Sequence, residues 1–242
     1  MTREAGKFGL LPGKRPVGLK DLTWYVAGAL PKPPIKVDVP AFGDWGMLSN
    51  DRLGCCGVAG LQHGFETDAT ITHERETWPS AEHCADFYLN YTHGQDSGVV
   101  LSDFLNYVRS NPYYDHTVEA FAPVAIQDIP TLQTAINMFG FAYAGIEVTA
   151  GMQQAFGQHQ AWSTTQLNEP VIGGHCVPLV GYDNTFLYCI TWGGVQAITY
   201  SAWHQIATES WAIISGEFVA RHGDGRGVNI DALRADLNRL DA

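Results

Sequence analysis

The sequence is short of positive charge: Lys and Arg number 14 against 25 Asp and Glu in 242 residues, for a net charge of −11. That deficit excludes a phosphate-binding surface, so no nucleic-acid partner is expected, and it argues against attachment by charge to an anionic membrane. No apolar run approaches the roughly 20 residues of a membrane span, and Met1–Lys7 lacks the apolar segment of a signal peptide. The expectation is a chain that is cytoplasmic as synthesised, without a membrane partner, leaving the cell only by lysis or within an assembled particle. C-x-x-C and H-E-x-x-H spacings are both missing, so no metal site and no cofactor are expected. The five cysteines, at 55, 56, 84, 176 and 189, are odd in number and only the adjacent two are close in sequence, which suits a reduced fold.

What is present is a globular composition, 45% hydrophobic and only 16% charged, enough to bury a core. Residues 1–43 read as an extended arm punctuated by Pro12, Pro16, Pro31, Pro33, Pro34 and Pro40, lying along the body, with Leu22–Val26 apolar enough to pack. Residues 44–242 read as one two-lobed domain. From Cys56 to about Thr67 the pattern is helical, with Val58, Leu61 and Phe65 on one face; Gly57, Gly60 and Gly64 in that stretch imply tight packing on all sides. After the polar stretch 72–77 a second helix follows Pro79-Ser80, and Ser102 is expected to cap a third. Asp128-Ile129-Pro130 opens a further helix stopped by Gly140.

Strands are expected at Ala142–Val148, Val171–Tyr182, Phe186–Ile190, Gln196–Tyr200 and Trp211–Ile214, with a loop over Gly151–Gln160 and a short helix from Ser201. This gives an α+β class: a helical lobe over about 44–125, an antiparallel β lobe over about 126–222, and a final helix over about 229–241. Between two such lobes a cleft is expected.

Cys56 stands at the mouth of the first helix, where the helix dipole and unpaired N–H groups favour the thiolate. A histidine from the other lobe can take the thiol proton and return it to a leaving amine, and an upstream amide can hold an oxyanion. Asn50 precedes Cys56 by six residues, and His175 lies in the strand Gly174-His175-Cys176-Val177-Pro178-Leu179-Val180-Gly181-Tyr182.

On these residues, together with Thr191-Trp192-Gly193, the chain resembles the papain-like cysteine peptidase superfamily, as a divergent bacterial or phage-type member. Leu53-Gly54-Cys55-Cys56 is also similar to the Leu-Gly-Asp-Cys of calpain-type members. The resemblance implies a papain-like two-lobe fold with Cys56 as nucleophile, His175 as acid and base, Asn50 as oxyanion donor and Trp192 as a shield. It implies hydrolysis of peptide or isopeptide bonds in a peptide or protein substrate.

Three positions depart from the superfamily pattern: Asn50 replaces Gln, Gly57 replaces Trp, and Ile190 stands where an Asn orients the histidine. Thr191, after a one-residue shift of its strand, or Asp183 or Asn184 at the nearby turn, are the candidates for that orienting role; Cys55 is a further neighbour. The alternative expectation is a papain-like scaffold without efficient catalysis, serving as a structural or binding protein, such as a virion component or a homo-oligomer. His63, two helical turns after Cys56, reads as a packed histidine outside the chemistry.

Overall fold

The computed structural model describes residues 3–73, 78–223 and 225–240. The expected polar stretch 72–77 thus lies partly outside the described residues, at 74–77. At the centre is helix α1 (Cys56–Thr72), buried from Cys56 through Ala69. Its glycines explain how it can be so enclosed. A Cβ on Gly57, Gly60 or Gly64 would stand 2.6 Å from Val99, 3.0 Å from Tyr143 or 2.4 Å from Phe141. Small residues there let neighbouring side chains press against the helix backbone. The helix runs past the expected Thr67 and ends at His73, whose left-handed backbone N–H returns to the carbonyls of Ala69 and Thr70.

Helices α2 (Ala81–Tyr91) and α3 (Leu101–Ser110) complete the helical side. Ser80 caps α2 by accepting from the His83 N–H at 3.3 Å. Ser102 does not cap α3: Val100 holds the cap position and Ser102 falls in the first turn. The helix starts where the chain leaves the pairing made by Val99, and that pairing overrides the Ser signal.

The other side is a six-stranded antiparallel sheet of β1 (Val118–Pro123), β2 (Ala142–Thr149), β3 (Val171–Tyr182), β4 (Phe186–Thr191), β5 (Gly194–Thr199) and β6 (Ala207–Ser215), in the order β1-β6-β2-β3-β4-β5. Strand β1 was not expected, because its buried run offers no alternation. Helix α4 (Ile129–Phe139) is capped by Asp128 and stopped by Gly140, as expected. The expected loop at 151–160 is instead mostly helix α5 (Ala150–Gly157). Thr149 caps it, and Met152, Ala155 and Phe156 form a buried face that outweighs its glycines. Short helices α6 (Tyr200–Ile206) and α7 (Gly216–His222) flank β6, and α8 (Ile230–Asn238) closes the described chain.

Apart from one 3-10 turn the described arm is without helix, and its course is not along the outside alone. Its 3-10 turn at Leu22–Tyr25 docks on α8, where the Tyr25 hydroxyl donates to Asp236 at 2.8 Å. Its first residues enter the groove between helices and sheet.

Under α1 lies a buried polar group: Gln62 Nε2 donates to Glu66 Oε1 at 2.8 Å, and the Tyr113 hydroxyl donates to Gln62 Oε1. Burial raises the Glu66 carboxyl to about 7 from 4.5, against the opposing hydrogen bond of Gln62 and the charge of His116. Between those pH values the unfolded chain has lost a proton that the folded chain keeps, so this group weakens folding as pH rises. Glu66→Gln removes that loss. Relative to the parent, its unfolding free energy is expected to improve by roughly 3 kcal/mol from pH 4 to pH 8, read from denaturant midpoints. A constant difference across that range would contradict the assignment.

Candidate active site

Three elements place the side chains. Helix α1 begins at Cys56, with Cys55 at its N-cap and no side chain capping it, and the Val58 N–H already returns to the Cys55 carbonyl at 2.9 Å. The preceding turn bends through left-handed backbone at Leu48 and Ser49, and Asn50 N donates to the Met47 carbonyl at 2.8 Å. This turn sets Asn50 beside the helix start. Strand β3 carries His175 opposite Ile146 of β2. The β4–β5 hairpin turns through Trp192 and Gly193, both with positive φ (46° and 72°), as a two-residue hairpin requires. The turn lays the Trp192 ring against the imidazole, 4.8 Å between centroids.

Cys56, His175, Asn50, Thr191, Trp192 and Ile190 line one small space with Met47, Ala59, Gly60, His63 and Cys176. Both Cys56 and His175 are 1% exposed. The space is about 10 Å³, at the lower bound for one water.

His175 Nε2 pairs with Thr191 Oγ1 at 2.7 Å. The reason it is Thr191 and not Ile190 lies in the strand register. Gly181 and Tyr182 pair with Tyr188 and Leu187, but Leu179 pairs with Cys189, so the register shifts by one between Leu179 and Gly181. A one-residue shift exchanges the faces of everything beyond it. Carried on toward His175, it turns Thr191 to the histidine's face. A hydroxyl can accept from Nε2–H, which leaves the Nδ1 lone pair for the thiol. Nδ1 is buried and makes no hydrogen bond; catalytic hydrogen bonds commonly tighten only when substrate binds.

Burial alone would raise the Cys56 thiol. The nearby Cys176 side chain, the charge and proximity of His175, and the Cys176 backbone together outweigh it and hold the thiol well below its ordinary value. Nearby His63 donates from Nε2 to the Trp45 carbonyl at 2.9 Å, and burial lowers it to about 4. It is therefore neutral at pH 7. Its place in the site was not readable from its position along α1, which only set it two turns from Cys56.

The other candidates lie elsewhere. Asp183 is bound into its own turn, accepting from the Thr185 and Phe186 N–H groups at 2.7 and 2.8 Å and from the Tyr188 hydroxyl at 2.7 Å. Asn184 accepts from Thr185 in the same turn. Neither is the partner of His175, because that turn closes the far end of the β3–β4 hairpin. Cys55 points away, its thiol 3.5 Å from the Leu48 carbonyl.

The arm occupies the groove over these groups. Lys7 N donates to the Asn50 carbonyl at 2.6 Å, while Asn50 Nδ2 donates to the Lys7 carbonyl at 3.1 Å and to Leu53 O at 3.0 Å. Phe8 meets both His175 and Trp192 edge-on, at 6.1 and 6.0 Å. Gly9 and Leu11 bracket Val99 in a parallel bridge, through Val99 N to Gly9 O at 2.7 Å and Leu11 N to Val99 O at 2.8 Å, and Leu10 N donates to Gly174 O at 3.1 Å. Asp96 and Tyr88 hold the walls: Asp96 Oδ1 accepts from Gly54 N–H at 2.8 Å, and the Tyr88 hydroxyl accepts from Gly98 N–H at 2.8 Å. A cavity of about 740 Å³ opens beside this track, between arm residues Leu10–Gly13 and Gly173, Gly174 and Glu209.

The fold is papain-like, with the candidate site between helix α1 and the sheet. Solved structures agree on the fold. Xylellain, a cysteine protease from Xylella fastidiosa, superposes with a TM-score of 0.63 at 18% identity, over 88% of this chain and 97% of its own. Digestive procathepsin L 3 of the Tenebrio molitor larval midgut gives a TM-score of 0.54 at 16% identity over 88% of this chain and 76% of its own. The cysteine protease and lectin-like domains of Cwp84, a surface layer associated protein of Clostridium difficile, give 0.54 at 12% identity, over 81% of this chain and 55% of that one. No protein-family model and no curated protein matches the sequence.

Thr191→Val removes the hydroxyl while keeping the volume. Turnover by an active form is expected to fall on the order of 10²–10⁴-fold, the upper end being the cost of misorienting a catalytic histidine. An unchanged kcat in Thr191→Val would show that Thr191 does not orient the ring.

Proposed function

We propose that this chain is a papain-like thiol hydrolase of peptide or isopeptide bonds, held latent by its own N-terminal arm. Cys56 attacks the acyl carbon, and His175 receives the thiol proton at Nδ1 and delivers it to the leaving amine. Thr191 keeps the ring in the tautomer this needs. Asn50 Nδ2 and the Cys56 backbone N–H stabilise the oxyanion. The single observation that carries this reading is the bond from His175 to Thr191. It supplies the orienting oxygen that Ile190 cannot, and so removes the main ground for an inert scaffold.

The arm lies where an extended peptide would have to lie, with Asn50 already gripping a peptide carbonyl, that of Lys7. The cavity beside Leu10 has room for substrate side chains. The test is competitive alkylation followed by peptide hydrolysis with the arm displaced. Iodoacetamide is expected to label Cys56 ahead of the other four cysteines. Labelling should persist below the ordinary thiol range and fade only as pH drops past the depressed value of Cys56. Preferential labelling of another cysteine would defeat the assignment. If hydrolysis is absent with Cys56 labelled normally, the chain is a papain-like scaffold with a binding or assembly role.

A further inference from the structure

The mechanism uses one cysteine, yet the structure sets a second against it. Cys176 directly follows His175 in β3 and comes to the same small space as Cys56, where each thiol perturbs the other. Both residues wall the same 10 Å³ space, both are free thiols, and they are 1% and 2% exposed. The wall behind it is fixed: the Tyr143 hydroxyl donates to the Gly57 carbonyl. Nothing in acyl transfer calls for a thiol at 176, because His175 is the base and Asn50 the oxyanion donor.

We propose that Cys56 and Cys176 form a reversible disulfide that switches the site off under peroxide, with Cys56 as the reacting thiol and Cys176 as the resolving one. This rests on the reading of Cys56 as the reactive cysteine. The two thiols are unequal in the right sense: Cys56 is held toward its thiolate, whereas burial and the neighbouring Cys56 raise Cys176 well above its usual value. A sensor thiol of this kind with a partner beside it is the arrangement that captures a sulfenic acid before it oxidises further.

The steps balance with hydrogen peroxide as oxidant. The Cys56 thiolate attacks one peroxide oxygen, the O–O bond breaks, and Cys56 becomes the sulfenic acid. The departing hydroxide takes the proton that His175 had received from Cys56. His175 is then free to accept the Cys176 proton as that sulfur attacks the sulfenic sulfur. The S–O bond breaks, the S–S bond forms, and the hydroxyl leaves as a second water. In sum, two thiols and one peroxide yield one disulfide and two waters. A thiol reductant reverses the change.

Among the described residues Cys55 and Cys84 are also buried free thiols, so the test must separate the possible pairs. The full-length chain is treated with hydrogen peroxide, quenched, and digested without reduction for mass spectrometry. The expected product is a Cys56–Cys176 linked peptide, two hydrogens lighter than its reduced parts. Iodoacetamide labelling of Cys56 should be lost and then restored by dithiothreitol. In Cys176→Ala, and in Cys176→Ser as a second variant, Cys56 should advance to sulfinic acid. The labelling recovered by dithiothreitol, normalised to each variant before oxidation, should then fall on the order of tenfold. A Cys55–Cys84 or Cys55–Cys56 link without Cys56–Cys176, or equal recovery in parent and variants, would overturn the proposal. Labelling of the reduced chain reports separately on whether Cys56 is the reactive thiol at all.

Discussion

Gly9→Ala is expected to release the arm and raise the alkylation rate of Cys56 on the order of 10²-fold. A Cβ on Gly9 would lie 1.7 Å from the Gly54 carbonyl oxygen and 2.5 Å from its carbon. Both are backbone atoms of the turn that leads into α1, so neither can step aside without moving Cys56. Asp96 also pins Gly54 through its N–H. The arm must therefore leave, giving up its pairing with Val99 and Gly174. Each such bond is worth about 1 kcal/mol net, and a loss of roughly 3 kcal/mol changes the open fraction about a hundredfold. Gly43→Ala serves as the control, since a Cβ there meets nothing within 4 Å. Equal labelling rates in Gly9→Ala and Gly43→Ala would mean that the arm does not gate the thiol.

In the Gly9→Ala background, Cys56→Ser is expected to cut peptide hydrolysis by about 10⁴-fold or more, the scale seen when a nucleophile is removed from a coupled catalytic unit. The depressed thiol is the reason for so large an effect. His175 and Cys176 stabilise a thiolate at position 56, whereas a serine hydroxyl loses its proton only far above neutral pH, so the ground-state ion pair disappears. The variant should fold normally, because Ser is close in size and the helix start needs no side-chain cap at 56. Thermal melting checks that point. Hydrolysis that survives at the parental rate would assign the activity to some other group and leave the chain a papain-like scaffold.

These two experiments address different layers. The first asks whether the groove is accessible, and the second asks what works inside it. The Thr191→Val variant asks whether the histidine is held. An arm that gates without a reactive Cys56, or a reactive Cys56 without gating, would each be visible as a separate result.

The sequence by itself determined the α+β class, the start of α1 at the paired cysteines, and the candidates Asn50, Cys56 and His175. Those signals are local: a turn before a glycine-bearing helix, an apolar strand-forming run around a histidine that resembles the superfamily's, and a fixed six-residue spacing. Beside Trp192 the sequence offered Ile190 as a defect and three polar residues as remedies. Only the tertiary structure chose Thr191, because a register shift between β3 and β4 depends on pairing and leaves no mark in either strand alone. The path of the arm was hidden for the same reason. Pro and Gly spacing predicts extension, but Val99, Gly174 and Asn50 become its partners only once helices and sheet have come together. Cys56 and Cys176, 120 positions apart, come to wall one small space only because α1 packs against β3.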